Sequence, residues 1–298
     1  MGPAGGICAQ RSHHAAIGAL VRARWSHLFR GSPLLDAALS FESVVDESIL
    51  ITAPIAVSTL AVYLNPAAGM IVALLLAAAG PASLASLRRA EPGTQRPARS
   101  ASTPVFLPGF PLLILTFTAI GAAQTIIDIG TVAFSGENGA KALSGPILGV
   151  LALSSAVSGL WYGARQWRST PERRLVTTLI LFAGGTLLFV AAWSIWLLFL
   201  AALLLGLAVA PTMIAAFSII SRIVPERQLT EGLTWLTSSL GIGISAGSAV
   251  SGAVADRWGT RAAFTVASCC AGAAMMAGMS TARRLRRNPA PGNPALDR

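Results

Sequence analysis

Two polar side chains stand four residues apart inside an apolar run long enough to cross a bilayer: Gln124 and Asp128. The i, i+4 spacing puts both on one helix face. A charged group at membrane depth costs roughly 2.5–3.5 kcal/mol on insertion scales, so an ionisable residue there marks a solute or proton path by default. A carboxylate and an amide facing a cavity bind a polar solute or carry a proton. The plainer alternative is that Asp128 caps backbone groups or reaches the outer interface. A second acidic group, Glu42, Asp46 and Glu47, opens the first apolar run. Glu42 and Asp46 share a face, whereas Asp46 and Glu47 are adjacent and do not face each other. Acids in a first helical turn are favoured by the macrodipole, and Arg22 and Arg24 are within reach as partners. That cluster reads as a charged helix end that locks a gate or simply stabilises the fold. Trp235 is the one tryptophan considered for a cavity wall.

Other chemistry is not expected. All three histidines, His13, His14 and His27, lie before the first apolar run. No H-E-x-x-H, Walker A or C-x-x-C occurs. Cys269 and Cys270 are adjacent in an apolar run, and with Cys8 they form neither a disulfide framework nor a zinc site. The expectation is a protein that is not an enzyme, with no metal, no cofactor and no ATP-driven step of its own.

The elements that must position these residues are membrane spans. Of 298 residues, 54% are apolar and 11% charged, with mean hydropathy +0.66. Soluble chains carry about 25% charged residues, so this one cannot coat a water-facing surface and reads as an all-α polytopic membrane protein. A crossing helix needs about 20 mostly apolar residues. Windows free of Asp, Glu, Lys and Arg give eight expected spans, at 42–63, 67–87, 109–133, 142–163, 174–193, 195–220, 232–254 and 261–281. Asn65-Pro66 divides the first pair, and Trp193-Ser194 the fifth from the sixth. Segment 1–35 is a basic amino-terminal stretch without a signal peptide; 36–87 holds two helices, 88–108 a linker, 109–282 six helices, and 283–298 a basic tail.

Basic residues alternate between connections. Arg22, Arg24, Arg88, Arg89, Arg165, Arg168, Arg173, Arg174, Arg222 and Arg283 fall on one side, and Lys141, Arg257 and Arg261 on the other. Excess Lys and Arg marks the cytoplasmic side, so both termini are expected in the cytoplasm and the net charge of +10 is an orientation signal. Arginines scattered over loops do not form a nucleic-acid face. In the seventh span Ser239, Gly243, Gly247 and Ser251 recur every fourth residue, with Gly241, Ser245, Ala249 and Ala253 as a parallel row. Such rows let backbones approach closely, for tight packing or for a surface that slides during gating. Pro54 and Pro211 lie inside spans and remove a backbone hydrogen bond.

These features resemble the major facilitator superfamily of secondary transporters. Leu204-Leu-Gly-Leu-Ala-Val-Ala-Pro-Thr-Met, Val224-Pro-Glu-Arg-Gln-Leu-Thr-Glu-Gly232 and the small-residue span ending Ala255-Asp-Arg-Trp-Gly259 are similar to the tenth and eleventh helices of bacterial drug-efflux-type members. Phe41-Glu-Ser-Val-Val-Asp-Glu47 with Ala53-Pro54 resembles the fifth helix, with Ala where the family has Gly. Gly163, Arg165, Arg168, Arg173 and Arg174 resemble the basic eighth-to-ninth loop. The resemblance implies a partial fold matching the last eight of twelve helices. It implies efflux of a small organic solute across the inner membrane, coupled to protons. It also implies that a cavity between two six-helix halves needs a partner chain or a second copy to close. The alternative is a non-transporting membrane subunit that acts only with a partner.

Overall fold

The computed structural model describes residues 21–22, 24–26, 28–29, 32, 34–45, 48–49, 71–72, 74–76, 79–80, 107, 109–225 and 228–287. Among them six helices are long and apolar enough to cross a membrane. They are α1 (Phe110–Glu137), α2 (Ser144–Ala164), α3 (Pro171–Val190), α4 (Ile195–Ile223), α5 (Leu229–Trp258) and α6 (Thr260–Arg287). A shorter stretch at 34–45 is also helical. The expected spans at 42–63 and 67–87 and the linker at 88–108 fall largely outside the described residues. So do Asp46, Glu47 and Pro54.

Local sequence sets the helix ends. Gly109, at φ +86°, turns the chain into α1, with Pro111 in the first turn. Asn138 closes α1 by donating its Nδ2 to the Phe134 carbonyl at 2.9 Å. Pro171 opens α3, where its missing N–H would have had no partner. Ser194 caps α4 by accepting from the Leu197 N–H at 3.3 Å. Gly259, at φ +78°, is the single residue between α5 and α6. The polar turn expected over 255–261 is therefore mostly helix, and α6 runs through Arg283 and Arg284 to Arg287. α1 would be about 42 Å long at 1.5 Å per residue, more than the roughly 30 Å hydrocarbon core. Hydropathy finds the bilayer; charged residues extend the helix beyond it.

Glycines fix the packing. α1 lies parallel to α5, with Gly243 against Thr118 and Gly247 one turn on against Ala122. α1 runs antiparallel to α6, with Gly109 beside Leu285 and Gly130 beside the Phe264 ring. α2 and α4 are parallel, with Gly206 at Leu151 and Gly159 at Ala210, while Gly185 of α3 sits on Leu205 of the antiparallel α4. Exchanging each helix with the one three places along maps α1·α5 onto α4·α2 and α1·α6 onto α4·α3. The bundle is thus two three-helix units. Three crossings is an odd number, so the second unit is inverted in the membrane relative to the first. Phe117 meets Phe217 edge-on at 5.7 Å between α1 and α4. Phe264 gathers Phe134 and Phe189 near the far end.

The amino-terminal segment docks on the arginine-rich end. Ser40 Oγ donates to the Gly159 carbonyl, and Ser26 and Ser221 share a hydroxyl hydrogen bond of 2.7 Å. Gly163 has no room for a Cβ because Ser40 lies against it.

Candidate functional site

Inside a membrane helix a serine or threonine hydroxyl usually satisfies itself by donating to a carbonyl three or four residues back. Most here do so. Thr116 donates to Leu112, Thr118 to Ile114, Thr212 to Ala208 and Thr281 to Ala277. The exceptions stand out. The hydroxyls of Thr131, Ser135, Ser155, Ser251, Thr260 and Ser268 are buried and have no hydrogen-bond partner among the described residues, and neither has Gln124 Oε1. Thr131 and Ser135 are completely buried.

Those on α1 follow a pattern. Gln124, Asp128, Thr131 and Ser135 fall at i, i+4, i+7 and i+11 of α1, within one narrow stripe. Gln124 Nε2 donates to Asp128 Oδ1 at 3.3 Å, so the amide spans the turn and its own oxygen is left over. The parallel register that sets Gly247 on Ala122 brings Ser251 level with Thr125 and Ile126. The antiparallel register that sets Gly130 on Phe264 brings Thr260 level with Phe134 and Ser135. The carboxy-terminal half of α1 thus carries a carboxylate and a run of polar atoms whose partners do not come from the described residues, each costing about 1–3 kcal/mol if left dry. Thr131 and Ser135 escape a sequence reading because isolated hydroxyls in a membrane helix carry no signal. The available clue was their heptad spacing from Gln124 and Asp128.

The charged residues at the opposite end sort differently. Arg22 Nε lies 3.3 Å from Glu42 Oε1, both side chains about 10% exposed, and the Arg22 guanidinium sits 4.5 Å over the Phe217 ring. Asp46 and Glu47 lie outside the described residues. A stronger centre involves Asp36, which was not among the expected site residues. Its Oδ2 accepts from Arg174 Nη1 at 2.6 Å and its Oδ1 from Ser218 Oγ at 2.6 Å. Arg174 also lies over the rings of Tyr162 and Trp167. One carboxylate therefore joins the amino-terminal segment to α3 and α4. Arg24 is half-buried in the same segment.

The remaining candidates are placed as follows. Trp235 is 46% exposed on α5, one turn before Ser239. Ser239, Gly243, Gly247 and Ser251 are all buried, and the parallel row of Gly241, Ser245, Ala249 and Ala253 is exposed. Pro211 is buried within a continuous α4.

Residues 168–297 match the sequence profile of the Major Facilitator Superfamily. The structure is similar to that of the human organic anion transporter MFSD10 (TETRAN), with a TM-score of 0.66 and 17% identity over 88% of this chain and 66% of that one. The chain thus spans just under two thirds of that transporter's length. No curated protein matches the sequence.

Proposed function

We propose that this chain, a multi-pass membrane protein with the fold of the major facilitator superfamily, moves a small organic solute across the cell membrane by alternating access. The stripe on α1 supplies the polar centre of the path. The observation that carries this is the Gln124–Asp128 pair at 3.3 Å, continued by the unpartnered hydroxyls of Thr131 and Ser135 within one membrane-spanning helix. Water or a polar solute supplies the missing partners, and Asp128 couples movement to protons by gaining one on one side and releasing it on the other. The direction proposed is efflux, with both termini in the cytoplasm, where the arginine-rich helix ends gather. The name of the similar structure points to organic anions as the first solutes to try.

The test is Asp128→Asn in sealed vesicles with an imposed pH gradient, read by efflux of a fluorescent anion such as fluorescein and a fluorescent cation such as ethidium. The expected result is loss of gradient-driven flux, about 100-fold, as for loss of a positioned proton-transfer group, with partial recovery in Asp128→Glu. Unchanged flux across the pH range takes Asp128 out of the coupling path. A second reading, a subunit that works only with a partner, is favoured by the exposed face of α5, where Ile242 is 63% and Val250 40% exposed beside the outward small-residue row. Light scattering of the purified protein separates the two: a lone 30.6 kDa chain that still transports excludes the partner.

A further inference from the structure

We propose that the loop joining α2 to α3, with the outward face of α2 above it, is a binding site for an anionic phospholipid, recognised through its headgroup phosphate. The site lies apart from the α1 stripe and stands whether or not that stripe carries transport.

The loop encloses a polar cavity of about 410 Å³ lined by Asp36, Arg165, Gln166, Trp167 and Arg168. Its charge is unbalanced. Asp36 is the only acid in the lining, and both its oxygens are engaged, one by Arg174 and one by Ser218. Arg165 and Arg168 are exposed and make no ion pair among the described residues. Two guanidinium groups therefore face the cavity without an anion.

Arg165 is held ready. Its guanidinium lies 5.4 Å from the Trp161 ring centre and 5.3 Å from that of Trp167. Trp167 is itself fixed, because its indole N–H donates to the Tyr162 carbonyl at 2.8 Å and its ring packs, tilted by 36°, 4.8 Å from that of Tyr162. The two indoles stand nearly perpendicular, at 84°, and hold the guanidinium in the corner between them by cation–π attraction without taking its N–H donors, which stay available to phosphate oxygens.

The surface above the cavity selects a lipid over a soluble phosphate. Leu153, Val157, Leu160 and Trp161 are 63%, 55%, 50% and 57% exposed. They recur at i, i+4, i+7 and i+8, a single apolar track along α2 that ends one turn before Arg165. Acyl chains laid on this track bring the phosphate to the arginines, and Trp161 stands at the headgroup level that tryptophan favours.

Native mass spectrometry of the full chain, released from mixed micelles holding equal phosphatidylglycerol and phosphatidylcholine, tests this. Wild type is expected to retain phosphatidylglycerol over phosphatidylcholine by roughly tenfold or more, the scale set by two arginines at an anionic headgroup. Arg165→Gln with Arg168→Gln is expected to remove the preference. Arg286→Gln with Arg287→Gln, which dilutes positive charge at the same end of the bundle, is expected to keep it. Inorganic phosphate at millimolar concentration is expected not to displace the lipid. Equal retention of both lipids by wild type overturns the proposal without any variant. So does loss of preference in the Arg286/Arg287 variant to the same degree as in the loop variant. Displacement by inorganic phosphate assigns the cavity to a soluble anion and overturns the lipid assignment.

Discussion

Replacing Arg174 with alanine is expected to lower stability by about 3–5 kcal/mol, the scale for breaking a buried ion pair from one side. The Arg174 side chain is 8% exposed and that of Asp36 16%. Without the guanidinium, the Asp36 carboxylate retains the Ser218 hydroxyl alone. It stays at the meeting of three segments, 138 residues from Arg174 and 182 from Ser218 in sequence. Much of the loss is the cost of an uncompensated charge, so removing both charges is expected to hurt less than removing one. Asp36→Asn combined with Arg174→Gln should recover at least half of the deficit of either single variant. Thermal unfolding in detergent, arranged as a double-mutant cycle, gives the coupling. The Arg222–Glu172 pair is the internal control. Its atoms are 3.9 Å apart and Arg222 is 44% exposed, so Arg222→Gln is expected to change stability by less than about 1 kcal/mol. An Arg174→Ala loss no larger than that of Arg222→Gln would show that the Asp36 centre does not hold the amino-terminal segment in place.

That centre also shows where sequence reasoning stops. The Arg22–Glu42 pair was within reach because an acidic first turn asks for a nearby cation. Nothing in local spacing connects Asp36 to an arginine 138 positions later. Only the register of the 34–45 segment on α2 and α4 makes that contact, and Ser40 on Gly159 sets the register. The six described membrane helices were plain in the charge-free windows, since these reflect the bilayer directly. Their ends were not. Asp256 and Arg257 look like a turn to hydropathy, yet a helix whose core already spans the membrane continues at no cost through charged residues in water, until Gly259 changes the backbone direction. Thr131 and Ser135 stayed hidden for a different reason. A hydroxyl in a helix looks the same in sequence whether it bonds its own backbone or waits for water, and only the hydrogen-bond pattern separates them.

The two small-residue rows of α5 were equivalent in sequence, and their different surroundings predict opposite mutational outcomes. A Cβ on Gly247 would come 2.7 Å from the Ala122 carbonyl oxygen and 2.9 Å from its Cα, both backbone atoms of α1 that no side-chain rotation can move. A Cβ on Gly241 meets nothing within 4 Å, and the same holds for Gly252. Gly247→Ala is therefore expected to cost about 1–3 kcal/mol through overpacking, and Gly247→Val more. Gly241→Ala and Gly252→Ala should instead be neutral or raise stability by up to about 1 kcal/mol, because alanine is the better helix former. Melting temperatures of the four single variants, measured side by side, decide the matter. The contrast also separates the two uses of a glycine row, tight packing and sliding. If α5 is locked on α1, Gly247→Ala both melts early and resists rescue, since the close approach is needed in every state of the bundle. If α5 slides, the Ala122 contact exists for only part of the cycle, and the variant keeps near-normal stability while trapping the bundle where the helices have parted. Gly247→Ala behaving like Gly241→Ala in the melt would therefore reject the packed arrangement of α1 and α5 as the dominant state, and with it the register that places Ser251 level with the Gln124–Asp128 turn.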